Sequence, residues 1–176
     1  IRNPKFVRYG WQPFTRANLV NEAGLPASTF RSEAAPVSWF RLPDLPGTEK
    51  SPSLGVSAPF TGVSGGQLFV AGGCNFPGKP AAEGGTKEYY CNIYALDITA
   101  RSHAGWKRIG KLPIPLAYGA SVTTPEGLVW IGGNNNKEVS RQVFFVNWDG
   151  EKQQLHITKL PPLPMPLDNL SATYAD

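Results

Sequence analysis

The chain has 176 residues, of which 41% are hydrophobic and 11% aromatic, so it is long and apolar enough to form a folded domain with a core. Its formal net charge of +4 arises from scattered basic residues, which excludes the clustered basic stripe of a nucleic-acid-binding surface. No stretch of about 18 apolar residues occurs, so the sequence predicts no membrane-spanning helix. The 19 glycines and 17 prolines separate short apolar runs, as is typical of all-β proteins.

Residues 1–34 differ from the rest because they contain no Gly-Gly strand and no copy of a repeat. Taken alone, they predict an irregular arm packed on the next domain. Four short strings resemble the C-terminal tail of bacterial sialate O-acetylesterases: Val7–Trp11, Asn18–Asn21, Gly24–Ser28 and Phe30-Arg31. The resemblance implies that this segment ends an upstream esterase domain. The nucleophile, acid and base of that domain, and any signal peptide, are then expected outside this chain.

Residues 35–176 predict a partial β-propeller. Three β-rich runs each end in Leu-Pro, at Leu42-Pro43, Leu112-Pro113 and Leu160-Pro161. Proline cannot donate to a strand ladder, so each Leu-Pro predicts the point where a strand stops. Between these marks the sequence predicts two four-stranded antiparallel units. The first has strands near 58–63, 67–73, 92–97 and 105–111, and the second near 118–123, 128–132, 142–147 and 154–159.

Both units share one arrangement of residues. The second strand ends in Gly72-Gly73 or Gly132-Gly133, and in the first unit Tyr94 lies in the third strand and Trp106 in the fourth. This pattern is typical of Kelch-type propeller blades. Asp149-Gly150 predicts a hairpin turn before the last strand. Val37–Leu42 and Leu170–Tyr174 predict single strands of neighbouring blades, so we expect the chain to be part of a longer protein or of an assembly of chains.

Two cysteines, Cys74 and Cys91, flank the loop after the first Gly-Gly pair. A disulfide closing this loop is compatible with an oxidising compartment. Two free, buried thiols are the favoured interpretation. A zinc site is not predicted, because His103 and His156 lie far from both cysteines in sequence.

The candidate ligand-binding residues lie in loops that strand direction predicts on one side of the blades. These loops are 74–90, 112–117, 134–141 and 160–169. The first is far longer than a hairpin needs, and long loops on a rigid scaffold commonly carry function. Amide, ammonium, carboxylate, guanidinium and phenol groups suit a polyhydroxy acid ligand, and the candidates are Asn75, Glu83, Lys87, Tyr89, Asn134, Asn135 and Arg141. The alternative for each residue is ordinary loop polarity or turn chemistry.

The sequence from about Trp39 to Ala175 resembles the cyclically permuted mutarotase family, which is related to bacterial N-acetylneuraminate epimerase, and three stretches carry the resemblance. They are GVSAPFTGVSGGQLFVAGGCNFP, PAAEGGTKEYY and AYGASVTTPEGLVWIGGNNN. The resemblance implies a six-bladed Kelch propeller that interconverts sialic acid anomers. The family's catalytic Gly-Glu…Arg stretch has no match here, because Cys74 and Asn134 follow the two Gly-Gly pairs. The catalytic pair is therefore expected outside this chain.

The sequence thus predicts part of a sialic acid mutarotase fused to a sialate O-acetylesterase, located in the bacterial periplasm or secreted. Acid–base chemistry suffices for ring opening, so no cofactor and no metal are predicted. The expected partners are a sialic acid or a related small sugar, the remaining blades and the esterase domain, but not nucleic acid or a membrane. The alternative is a non-catalytic Kelch module that binds a glycan or a protein for an active esterase.

Overall fold

A computed structural model describes residues 41–46, 54–99 and 105–175, together with the backbone of Arg8–Tyr9 and Phe30–Arg31. The chain divides into two compact units, Ile1–Arg41 and Leu42–Asp176. In the first unit, strands β1 (Arg8–Tyr9) and β2 (Phe30–Arg31) form a short antiparallel pair with Arg8 opposite Arg31. No helix among the described residues is long and apolar enough to cross a bilayer.

The second unit contains two four-stranded antiparallel sheets, which we call blade 1 and blade 2. Blade 1 consists of β3 (Phe60–Ser64), β4 (Gln67–Ala71), β7 (Asn92–Asp97) and β8 (Lys107–Lys111). Blade 2 consists of β9 (Ala120–Thr124), β10 (Gly127–Ile131), β11 (Val143–Asp149) and β12 (Gln154–Leu160). The predicted strand order of both Kelch-type units is confirmed, and the fold is all-β. The described residues do not close a propeller.

The loop between β4 and β7 has structure of its own. Strands β5 (Cys74–Asn75) and β6 (Glu88–Tyr89) pair as a two-stranded ribbon, and a single 3₁₀ turn spans Ala81–Glu83 at the tip of the loop. Both cysteines are free, with Cys74 buried and Cys91 half-buried. The favoured prediction of two thiols rather than a disulfide is confirmed.

The core lies between the two blades, where alternate residues of each strand face the neighbouring sheet. The Phe60 ring stacks on Trp130 with 5.7 Å between centroids, and Phe69 packs against Trp148 at 5.9 Å. Leu128 and Val146 are fully buried in the same cluster. A hydrogen bond from the Thr61 N–H to Ser121 Oγ, 3.0 Å long, also joins the blades. Blade 1 and blade 2 therefore form one packed body.

The Gly-Gly pairs end the second strand of each blade in the same way. All four residues have positive φ: 66° and 89° at Gly72 and Gly73, and 64° and 94° at Gly132 and Gly133. The first N–H of each pair bonds the start of the third strand, and the second bonds the connection to the next blade, at Leu116 O (2.8 Å) or Leu167 O (2.9 Å). These backbone bonds bring the strand ends of both blades to one side, which we call the site face.

A second repeated feature lies in the chain segments before blade 1, between the two blades and after blade 2. Ala58, Tyr118 and Asn169 occupy equivalent positions, and their φ angles are 50°, 61° and 49°. The Tyr118 N–H donates to Ala58 O at 3.0 Å, and the Asn169 N–H donates to Tyr118 O at 2.8 Å. We call this series of backbone hydrogen bonds the left-handed ladder. It ties successive connections together along the site face.

Of the two predicted single strands, one is absent and the other lies mostly outside the described residues. Leu170–Tyr174 forms no strand, because no described residue pairs with it, and this prediction is wrong. For Val37–Leu42, the described residues Arg41 and Leu42 lie outside any strand, and the others fall outside the described residues. A strand exists through its ladder partner, so an extended sequence pattern alone does not produce one.

The predicted turn at Asp149-Gly150 is confirmed, since it joins β11 to β12. Asp149 Oδ1 accepts the N–H groups of Glu151 at 3.1 Å and Lys152 at 3.0 Å. The hydrogen bond from the Lys152 backbone is the main cause that lowers the pKa of the Asp149 carboxyl. A lowered pKa means that the ionised carboxylate stabilises the fold above pH 3.8, and that this contribution is lost as the pH falls through the lowered value.

We therefore expect Asp149→Ala to lower the thermal midpoint slightly at neutral pH and to have a progressively smaller effect as the solution is acidified. The matched control is Glu126→Ala, which removes an exposed carboxylate from the turn between β9 and β10. Thermal melts of both variants at several pH values check this. An Asp149→Ala effect that is constant down to strongly acidic pH would contradict the role of the ionised side chain.

Candidate functional site

Four loops meet on the site face, as strand direction predicts. The Leu116 N–H donates to Tyr90 O at 3.3 Å, and Asn135 Nδ2 donates to Pro115 O at 3.0 Å. The Leu167 N–H donates to Ser140 O at 3.2 Å. These bonds connect the 74–90, 112–117, 134–141 and 160–169 loops into one surface. Side chains from both blades therefore converge on it.

Tyr118 lies at the centre of this surface. Its backbone belongs to the left-handed ladder, and its half-buried side chain extends toward the ribbon of β5 and β6. The Tyr118 hydroxyl oxygen accepts a hydrogen bond from Lys87 Nζ at 3.0 Å. The Cys74 Sγ lies 3.5 Å from the same oxygen and 3.8 Å from Ser57 O. The Tyr118 hydroxyl thus contacts both the Lys87 ammonium and the Cys74 thiol.

Lys87 is held between two aromatic rings. Its Nζ is 5.0 Å from the centroid of Tyr118 and 5.6 Å from that of Phe76. Ring faces attract a cation at such distances. The hydrogen bond to Tyr118 is the main cause that raises the pKa of the Lys87 ammonium above its ordinary value of 10.5. Lys87 therefore presents a fixed positive charge on the site face at neutral pH.

A carboxylate, that of Asp168, lies on the same site face as Lys87. Burial is the main cause that raises the pKa of the Tyr89 phenol, while the Lys87 charge lowers it and the Asp168 charge raises it. Asp168 lies next to Asn169, whose N–H donates to Tyr118 O at 2.8 Å. Asn134 Nδ2 donates a hydrogen bond to Asp168 Oδ2. Asn134 Oδ1 is buried and has no hydrogen-bond partner among the described residues.

Three of the seven predicted site residues meet here: Lys87, Tyr89 and Asn134. The other four lie elsewhere or have structural partners. Asn75 accepts from the Tyr90 hydroxyl at 2.6 Å and donates to Gly55 O at 2.7 Å, which anchors the loop. Asn135 Oδ1 accepts the N–H groups of Lys137 and Glu138. Arg141 Nε donates to Leu163 O at 2.7 Å, and Glu83 is exposed in the 3₁₀ turn.

We call the side chains that gather around Tyr118 the cluster. Four of its members were not predicted from the sequence: Cys74, Phe76, Tyr118 and Asp168. Alignment of the connections before each blade would have identified two of them. Ser57 and Ala117 form the same backbone bridge, to Cys74 and Asn134, and the N–H groups of Tyr118 and Asn169 form the same ladder bond, which places Asp168-Asn169 in the equivalent position. Tyr118 and Asp168 therefore stand at repeated positions of the scaffold that carry different side chains in each blade.

The cluster combines an ammonium, two phenols, a thiol and a carboxylate. The ammonium suits the carboxylate of a ligand, since charge-assisted hydrogen bonds are stronger than neutral ones. The phenol and carboxylate groups can donate and accept protons. Among the residues that the structure describes, no three His, Cys, Asp or Glu side chains gather as a metal site. The arrangement fits a small polar acid and proton transfer.

The sequence matches the family described as N-acetylneuraminate epimerase over residues 22–157. The N-acetylneuraminate epimerase of Brucella suis is 36% identical over 124 residues, which cover 64% of this chain and 31% of that protein. The Vibrio cholerae protein of the same name is 37% identical over 118 residues, with 64% and 31% coverage. The Yersinia pestis protein of that name is 35% identical over 132 residues, with 69% and 32% coverage.

Similarity to a solved structure supports the fold. The structure of YjhT matches with a TM-score of 0.51 and 25% identity, over 61% of this chain and 33% of that one. The chain therefore spans about a third of the length of the relatives that it matches. The cluster around Tyr118 lies within the matched residues 22–157, except for Asp168.

Proposed function

This chain belongs to the N-acetylneuraminate epimerase family, and on that premise we propose that it forms part of a sialic acid mutarotase that interconverts the anomers of N-acetylneuraminate. The family membership and the charge distribution of the site face support this function. The substrate is a sugar acid with a carboxylate on its anomeric carbon and many hydroxyl groups. A site for it needs one fixed cation and several neutral hydrogen-bonding groups.

The observation that carries the proposal is the position of Lys87. Its ammonium is held by the Tyr118 hydroxyl at 3.0 Å and flanked by two rings, so it is ordered before a ligand arrives. An ordered charge loses less entropy when it binds than a flexible one. The substrate carboxylate would bind Lys87, and the phenol of Tyr89 would contact its hydroxyl groups.

The test uses the full-length native protein and follows anomer exchange of N-acetylneuraminate by NMR. Exchange faster than in buffer supports the proposed reaction. Binding without faster exchange would overturn it in favour of a non-catalytic module that binds a glycan. If the protein neither binds N-acetylneuraminate nor accelerates its exchange, sialic acid is excluded as the ligand.

Replacing the cation gives a sharper prediction. Lys87→Met keeps the length of the side chain and removes the charge, so we expect the KM for sialic acid to rise about 10- to 100-fold, as for loss of a hydrogen bond to a charged group. The control is Lys79→Met, which removes an exposed ammonium from the same loop and should leave KM unchanged. Equal KM values for the two variants would show that Lys87 does not bind the carboxylate.

We also propose that residues 1–34 belong to a sialate O-acetylesterase domain and that the protein acts in the periplasm or outside the cell. The four strings in residues 7–31 support the first part. The β1–β2 pair joins Arg8–Tyr9 to Phe30–Arg31, so the two ends of the segment that carries the resemblance meet. Release of acetate from O-acetylated sialic acid by the native protein would support the fusion. Absence of this release while anomer exchange persists would contradict it.

A further inference from the structure

The backbone of Tyr118 is unusual for its residue type. A positive φ is uncommon outside glycine and asparagine, and for a bulky residue it is a true outlier. Tyr118 has a φ of 61°, whereas the equivalent positions of the left-handed ladder carry Ala58 and Asn169. The ladder needs the backbone conformation but not the aromatic ring. The choice of tyrosine at this position is therefore not explained by the backbone.

The surroundings hold this conformation firmly. The Tyr118 N–H donates to Ala58 O at 3.0 Å, and its carbonyl accepts from the Asn169 N–H at 2.8 Å. Both backbone groups are thus used, and the side chain has a defined direction. Strained residues that are held in this manner occur most often where a side chain must be presented to a ligand. The direction here is toward Lys87 and Cys74 on the site face.

The hydrogen bonds of the phenol leave its proton available. Lys87 Nζ has no lone pair in its charged form, so it can only donate to the Tyr118 oxygen. The Cys74 Sγ lies 3.5 Å from this oxygen and 3.8 Å from Ser57 O, and its single proton can serve only one of the two. Among the described residues, the Tyr118 hydroxyl donates to no nitrogen or oxygen atom, so its proton is available to a ligand.

The position of the substrate follows from the charges. If its carboxylate binds Lys87, the anomeric carbon that carries the carboxylate lies one bond further away, and the ring oxygen is attached to that same carbon. Lys87 Nζ and the Tyr118 oxygen are 3.0 Å apart, so the ring oxygen comes within reach of the phenol. Asp168 supplies a carboxylate on the same face, because its neighbour Asn169 donates its N–H to Tyr118 O at 2.8 Å and Asn134 Nδ2 donates to its Oδ2.

We propose that Tyr118 is a catalytic residue that donates its phenolic proton to the ring oxygen during anomer interconversion, although the family resemblance leads us to expect a catalytic pair outside this chain as well. This inference rests on the proposed function. As the proton reaches the ring oxygen, the bond between the anomeric carbon and that oxygen breaks, and the anomeric hydroxyl becomes a ketone. Its proton passes to the Asp168 carboxylate. When the ring closes on the other face of the ketone, the attacking hydroxyl returns its proton to Tyr118. The ketone oxygen takes the proton back from Asp168, so nothing is consumed.

The test is Tyr118→Phe in the full-length native protein. This change keeps the ring and its packing but removes the hydroxyl proton. Because a general acid contributes roughly 100- to 10,000-fold, we expect kcat for anomer exchange to fall by about 100-fold or more. The dissociation constant of N-acetylneuraminate should change far less, since Lys87 remains.

The matched control is Tyr94→Phe, which removes another phenolic hydroxyl, one that accepts a hydrogen bond from Asn92 Nδ2 at 3.2 Å within blade 1. This control should retain the wild-type kcat. A wild-type kcat in Tyr118→Phe would overturn the catalytic role and leave the proposed function intact. Loss of kcat with an equal loss of affinity, or with a lowered melting temperature, would also overturn it. A wild-type protein without exchange would overturn the proposed function together with this inference.

Discussion

Replacing Gly72 by alanine is expected to lower the free energy of unfolding by about 2–5 kcal/mol. Its φ of 66° is a conformation in which an L-residue is strained by about 1–2 kcal/mol. A Cβ atom here would lie 2.3 Å from Leu116 O and 2.9 Å from Leu112 Cδ1. The first neighbour is backbone and cannot rotate away, so overpacking adds about 1–3 kcal/mol. Urea unfolding followed by tryptophan fluorescence measures the loss.

Two further glycines in the same loop separate these two effects. Gly84 has a φ of 77° but no atom within 4 Å of the position that a Cβ would take, whereas Gly78 has neither a positive φ nor a close neighbour. Gly84→Ala should therefore show the backbone strain alone, about 1–2 kcal/mol. Gly78→Ala should be close to neutral. A Gly72→Ala protein no less stable than Gly84→Ala would show that the close approach to Leu116 is not important.

Removing the Trp130 side chain is the other change with a large expected effect. This residue is fully buried between the blades and stacks on Phe60. Trp130→Ala should destabilise the protein by about 3–5 kcal/mol, because the cavity cannot close without moving both sheets. The same urea titration measures it. A loss below about 1 kcal/mol, the range of a volume-conserving swap, would contradict tight packing at this position.

A phenylalanine at the same position tests a second property of Trp130. Its Nε1 is buried and has no acceptor among the described residues, so Trp130→Phe also removes an unsatisfied donor. That removal offsets part of the lost packing, and we expect a much smaller effect than for alanine. Trp106→Phe is the comparison, because Trp106 Nε1 donates to Pro43 O at 2.7 Å. In Trp106→Phe, the lost hydrogen bond should add about 0.5–1.5 kcal/mol of destabilisation.

The strands of both blades could be predicted because their signals are local. Apolar runs, the Gly-Gly pairs and the Leu-Pro boundaries together placed all eight strands within a few residues of their observed positions. Leu170–Tyr174 has a similar apolar pattern but forms no strand. A strand needs a neighbour with free backbone groups, and no local pattern reports whether one is present.

The structure brings together only part of the predicted site, for two different reasons. Asn135 and Arg141 were chosen as polar residues of a loop, yet both hydrogen-bond to backbone: Asn135 Oδ1 accepts two N–H groups of its own loop, and Arg141 bonds Leu163 O in a neighbouring loop. Short side chains such as asparagine commonly satisfy nearby backbone in this way. Tyr118 was missed for the opposite reason. Tyrosine gives no sequence signal for a left-handed conformation, which is ordinarily inferred from glycine or asparagine.

The left-handed ladder separates what the scaffold requires from what can vary. Its hydrogen bonds use main-chain N–H and carbonyl groups alone, so they do not depend on the side chain at each position. Alanine, tyrosine and asparagine already occupy the three positions with nearly the same φ. Substitution at Ala58 or Asn169 can therefore alter the chemistry of the surface while the frame stays intact. The side chains that contact a ligand can therefore change at one ladder position at a time, while the backbone hydrogen bonds that hold the blades stay the same.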